Sequence, residues 1–108
     1  LLDERYIDEK RYAHAFVRDK FRYNHWGWIR IELELKKRNI AQEFIDEAKE
    51  EINDEANLTE LRRIIKSKRR TVKGKSEYEV NAKLFRFALS RGFSYADINE
   101  VLHTDIEE

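Results

Sequence analysis

Slid along itself, this chain meets its own apolar pattern. At an offset of 53 positions Ile31 falls on Leu84, Leu35 on Ala88, Arg38 on Arg91 and Asn39 on Gly92; Ile40 then meets Phe93, Ile45 meets Ile98 and Ala48 meets Val101. Upstream the offset becomes 48, with Ala13 on Leu61, Phe16 on Ile64, Val17 on Ile65 and Lys20 on Lys68. Self-similarity at a fixed period marks a repeat architecture. The change of offset places about five extra residues between the first and second helices of the second copy, an insertion that a surface loop accepts at small cost in closure entropy. The expected fold is all-α: two tandem three-helix repeats, about six helices, elongated. Residues 1–54 form the first repeat, with 1–7 as the tail of a preceding one, and 55–108 form the second. One unit is too small to bury its own apolar faces, so the two are expected to share a core.

Within each copy the apolar residues recur at helical spacing. Asp8 reads as the N-cap of a first helix that runs to about Arg22, with Tyr12, Ala13, Phe16, Val17 and Phe21 on one face. The segment Tyr23–Gly27 breaks the pattern. A second helix follows with Trp28, Ile31 and Leu35 on one side and Ile29 and Leu33 beside it. It closes at Lys36-Lys37-Arg38-Asn39, where cations suit the helix C-terminus and Asn tolerates the left-handed conformation. A third helix from Ala41 carries Ile45, Ala48 and Ile52 and stops near Asn53-Asp54. Asn57 or Thr59 caps a fourth, with Leu58, Leu61, Ile65 and Val72 in its stripe and Ile64 alongside, and Gly74 ends it. The fifth starts at Ser76, carries Val80, Leu84, Phe85, Ala88 and Leu89, and ends with Gly92 at the position that favours glycine. Ser94 and Asp97 resemble a capping box ahead of Ile98, Val101 and Leu102.

Composition narrows the function classes. Proline is absent and glycine occurs three times, which suits helices joined by short turns. Without cysteine there is no disulfide scaffold and no Cys-ligated metal. No apolar run approaches the roughly 20 residues that cross a bilayer. With no signal-like start, the expected location is the cytoplasm, with no membrane partner. Leu1 is not a translation start, so the chain reads as a piece of something longer.

The search for chemistry finds no constellation. No serine sits in a Gly-x-Ser-x-Gly elbow, no Gly-rich phosphate loop is present, and His14, His25 and His103 lack metal-ligand spacing. Glu47 with Glu50 and Glu51 is a carboxylate group that an acid-rich helix face produces by itself. The chain is therefore expected to be no enzyme, with no catalytic residue, metal, cofactor or small-molecule substrate.

What remains is charge. Charged residues make up 41% of the chain, far above the usual quarter, yet the net charge is zero. From Glu43 to Glu60 there are eight acidic residues against Lys49 alone, and from Arg62 to Lys75 eight basic residues and no acidic one. Arg62, Lys66, Arg69 and Lys73 recur at i, i+4, i+7 and i+11, one stripe along the fourth helix opposite its apolar side. Arg63 and Arg70 widen it and Lys75 extends it. Like charges at that spacing repel, and a polyanion laid along them relieves the repulsion and releases counterions. The competing account is a solvated face neutralised by the acidic third helix. A second set of candidate contacts is Arg18, Arg22, Arg30 and the cluster Trp26-Gly27-Trp28. Its aromatic rings either stack on bases or a partner's pocket, or pack inward, with Trp28 seeding the first core and Trp26 stapling the start of the second helix. Tyr12, Phe16, Phe85 and Phe93 lie on the apolar stripes and are expected in the core.

Three stretches resemble one family. Asp8-Glu9-Lys10-Arg11-Tyr12-Ala13-His14-Ala15-Phe16-Val17 is similar to the opening of a repeat in the RecX regulatory proteins. Ile31, Leu35, Ile40 and Ile45 stand at the spacing of the same repeat, and Lys83-Leu84, Arg91-Gly92-Phe93, Ile98 and Val101-Leu102 resemble the family's closing segment. Such proteins usually carry three repeats, and Asn39 stands where glycine is usual. The resemblance implies a negative regulator of homologous recombination, DNA repair and the SOS response. It would bind the bacterial RecA filament on single-stranded DNA, contacting the strand directly or through RecA, and inhibit RecA's recombinase and ATPase activity. The alternatives are a helical module that binds nucleic acid without RecA and a helical scaffold that binds only proteins.

Overall fold

A computed structural model describes residues 2–107, with side chains for 8–103. Six helices follow one another: α1 Leu2–Arg22, α2 Trp28–Lys37, α3 Gln42–Ala48, α4 Asp54–Arg69, α5 Glu77–Ser90 and α6 Tyr95–Glu107. A 3-10 turn, Lys49–Glu51, finishes α3, and no strand occurs among the described residues. The body measures 60 × 23 × 20 Å.

The two copies of the pattern become two three-helix units of like construction. Ile31 and Leu84, Leu35 and Ala88, Ile45 and Ile98, Ala48 and Val101, Ala13 and Leu61, and Val17 and Ile65 are all buried. Asn39 (φ 61°) and Gly92 (φ 100°) both adopt the left-handed conformation. Around them the hydrogen bonds repeat: the Asn39 and Ile40 amides donate to Lys36 and Leu35 as those of Gly92 and Phe93 donate to Leu89 and Ala88. This is the closure that sends the chain back across its own helix and folds an apolar residue, Ile40 or Phe93, under the last turn.

Several local expectations change. Asp8 lies inside α1, which opens at Leu2, so it caps nothing. α3 stops at Ala48 and hands over to the 3-10 turn. α4 starts earlier than Asn57 or Thr59: Asn53 is the cap, its side chain accepting the Ala56 amide at 2.7 Å. Asn57 instead donates to Asp97 at 3.0 Å and ties α4 to α6. Asp97 therefore does not close a capping box, although its own amide donates to the Ser94 hydroxyl at 3.2 Å. Tyr12, Leu89, Ile29 and Leu33 are exposed on the rims of their stripes and Phe85 is half-buried, whereas Phe44, outside the apolar stripes of the sequence, is buried.

The units do not share a core. One cluster gathers Ala13, Phe16, Val17, Phe21, Ile31, Leu35, Phe44, Ile45 and Ala48; the other gathers Leu61, Ile64, Ile65, Leu84, Ala88, Phe93, Ile98, Val101 and Leu102. Backbone joins them. α2 has no side-chain cap at Gly27. The Gly27 amide donates to the Arg91 carbonyl at 2.7 Å, and the Ile29 amide to Gly92 at 3.0 Å. The unpaired donors that begin α2 thus meet the unpaired acceptors that end α5, with the two helix dipoles head to tail. Only glycines permit that approach. A Cβ on Gly27 would lie 2.5 Å from the Gly92 carbonyl carbon, and one on Gly92 would lie 2.5 Å from Arg30 Cβ. His25, itself at φ 57°, pairs with Glu60 across the same joint.

Candidate nucleic-acid and partner interface

The basic block does not form one helical stripe. α4 ends at Arg69, Arg70 is its C-cap, and the Thr71 and Val72 amides both close on the Lys68 carbonyl. The β-branched pair Thr71-Val72 follows a run of like charges, and both weaken helix continuation. Arg62 and Lys66 are exposed on one flank of α4, and Arg69 is half-buried on the side of Ile65, four residues before it, rather than opposite the core. Lys73 and Lys75 are exposed in the loop to α5, where the Lys83 ammonium donates to the Lys73 carbonyl at 2.6 Å and the Lys75 amide to Glu79 at 3.2 Å. Arg63 lies on the other flank, 3.8 Å from Glu60.

The acidic third helix does not neutralise this block. Its carboxylate Glu47 meets Lys10 of α1 at 3.4 Å, and Glu51, in the 3-10 turn, meets His14 of α1 at 3.1 Å. Glu60, counted with the acidic run, belongs to α4 and is buried between His25 and Arg63. Arg62, Lys66, Lys73 and Lys75 are exposed.

Of the second candidate set, Arg18 and Arg22 are exposed on α1. Trp26 and Trp28 are half-buried against the first core. Trp26 meets Phe16 edge-on at 6.4 Å between ring centres. Arg30 lies 4.2 Å over the Trp26 ring and donates to the Ser90 carbonyl at 3.4 Å, so this residue bridges the units.

Four cations outside both sets complete a pattern. Lys20 stands over Phe16 and Trp26, at 5.5 and 5.1 Å, and Arg38 lies 4.9 Å over Phe16. In the second unit Lys68 and Arg91 flank Phe87 at 5.1 and 5.2 Å. Lys20 is the repeat equivalent of Lys68, and Arg38 that of Arg91. The self-alignment therefore carried the signal, but the rings beneath come from non-equivalent helices and left none. Beside Phe87 a hollow of about 360 Å³ is lined by His25, Arg63, Ile64, Ser67, Lys68, Thr71, Phe87 and Arg91. Among the described residues no three His, Cys, Asp or Glu side chains gather as metal ligands, and no helix is long and apolar enough to cross a membrane.

Residues 8–48 match the family model for the second three-helix domain of RecX, and residues 54–102 the model for the third. The chain is similar to the "Regulatory protein RecX" of Vibrio campbellii, 35% identical over 99% of this chain and 67% of that protein. It is 31% identical to the protein of that name from Clostridium botulinum, over 94% of this chain and 48% of the relative. For the one from Clostridium acetobutylicum the identity is 29%, over 90% and 46%. The chain thus spans about half the length of the clostridial relatives. No solved structure matches it. Two consecutive three-helix units, each matched by its own domain of one family and both covered by relatives of one name, show that this chain belongs to the RecX family.

Proposed function

We propose that the chain is a negative regulator of recombination and DNA repair that acts in the cytoplasm by lying along the RecA–single-stranded DNA filament and inhibiting its ATPase and recombinase activity. The observation that carries this reading is the build of the molecule. Two units joined end to end through backbone make a body of 60 × 23 × 20 Å, long and narrow enough for the groove of a helical filament. Membership of a family whose relatives are named regulatory proteins supports it. On this reading the exposed cations Arg62, Lys66, Lys73 and Lys75 face an acidic wall of the filament, and the protein performs no chemistry itself.

The test is a titration of the chain into RecA assembled on single-stranded DNA, following ATP hydrolysis. Inhibition at well under one chain per RecA protomer is expected, with no hydrolysis by the chain alone. Charge reversal of Arg62 and Lys66 to Glu should raise the concentration needed for inhibition while leaving the helical signal intact. An unchanged RecA ATPase at saturating chain would sink the proposal.

A further inference from the structure

Five ring-held cations form a single file that crosses from one unit to the other; Lys49, 5.7 Å over Trp28, is not part of it. In order of contact it runs Arg38, Phe16, Lys20, Trp26, Arg30, then over the joint by the Ser90 carbonyl to Arg91, Phe87 and Lys68. We infer that this row is the binding site for the sugar–phosphate backbone of one nucleic-acid strand, with the hollow beside Phe87 receiving one nucleotide. The inference rests on the reading above for its choice of strand, and it assigns the strand to residues other than Arg62, Lys66, Lys73 and Lys75.

Three observations support it. First, the charges are held but little compensated. Among the described residues no carboxylate pairs with Lys20, Arg30, Lys68 or Arg91; Arg38 alone meets one, Glu34 at 3.2 Å. An aromatic face fixes a cation's position without cancelling its charge, so less side-chain freedom remains to be lost when an anion arrives. Second, both units supply the equivalent pair, Lys20 with Arg38 and Lys68 with Arg91, and Arg30 spans the joint between them. A repeated cation site suits a polymer with a repeated negative charge, and an uncompensated row gains from counterion release. Third, the hollow is lined by the apolar side chains of Ile64 and Phe87, by the cations Arg63, Lys68 and Arg91 and by Ser67, while the Thr71 hydroxyl already donates to the Lys68 carbonyl at 3.0 Å. The cations suit a phosphate and the apolar side chains a base face, the pairing that single-strand binders use. A duplex keeps its bases stacked inside and offers none to such a hollow.

The test is anisotropy of a labelled oligo-dT with the full chain over a range of salt, alongside the RecA ATPase titration. The wild type should bind the bare strand with an affinity that falls steeply with salt. Lys68→Gln with Arg91→Gln, and separately Lys20→Gln with Arg38→Gln, should each weaken binding by roughly tenfold or more, the scale of a lost charge-assisted contact. Each should also flatten the log–log salt slope by about 0.7 per cation removed. Arg62→Gln with Lys66→Gln, on the other flank of α4, should leave bare-strand binding unchanged, and circular dichroism should show every variant folded. No salt-dependent binding by the wild type, or row variants that bind as wild type does, would overturn the inference. So would row variants that keep oligo-dT and lose only RecA inhibition, since the row would then face protein. A chain that binds oligo-dT through the row but leaves RecA untouched would keep the site and remove the filament reading.

Discussion

At the scale of single residues, the left-handed positions separate local from tertiary need. Asn39 and Gly92 close α2 and α5 with the same hydrogen bonds, yet only Gly92 is pressed against the other unit. Asn39→Ala should cost about 1 kcal/mol, the penalty of placing an ordinary side chain in that conformation. Gly92→Ala meets that backbone penalty and, in addition, a clash with Arg30, so its cost should exceed that of Asn39→Ala. Chemical denaturation of both variants checks the order; equal losses would mean that the joint yields freely. The sequence marked Asn39 and Gly92 as helix ends because their chemistry is local. It did not mark Gly27 as a contact, because the atom it must avoid lies 65 positions away at Gly92.

At the scale of helices, caps were legible as residue types and misplaced as positions. Ser76, where the sequence starts the fifth helix, is the cap of α5 and accepts the Glu79 amide at 3.2 Å, but Asn53 rather than Asn57 or Thr59 caps α4. All three residues suit a cap, and which one serves depends on where the 3-10 turn releases the chain. Asn53→Ala and Ser76→Ala should each cost about 1 kcal/mol by thermal or chemical unfolding, and Thr59→Ala much less. α2 is the exception, since its first donors are satisfied by the second unit. The end of α4 also escaped the sequence: the cation periodicity runs on to Lys73, whereas the helix stops at Arg69.

At the scale of the whole molecule, two cores replace the single expected one, and the radius of gyration is 16.2 Å against about 13 Å for a compact chain of this length. Each unit buries enough apolar surface around its own central helix residues, and the joint adds backbone hydrogen bonds rather than a shared apolar layer. Ile31→Ala and Leu84→Ala should each cost about 2–5 kcal/mol. Hydrogen exchange should show the loss concentrated in the unit that carries the substitution, as in arrays whose stability is a sum of unit and neighbour terms. Equal loss of protection in both units would mean one cooperative core after all.

The sequence by itself determined the six helices, their repeat, the buried faces and the two left-handed closures, because each follows from spacing within a turn or two of helix. It also displayed the cations, but it ordered them by helical periodicity alone and so singled out Arg62, Lys66, Arg69 and Lys73. Only the tertiary structure decided that Gly27 would meet Gly92, that Glu60 would turn inward to His25, and that Arg30 would reach Ser90. Those contacts join residues 35 to 65 positions apart through backbone polar groups and single side chains, which leave no periodic trace in the sequence. The row from Arg38 to Lys68 exists only because that joint brings its two halves together.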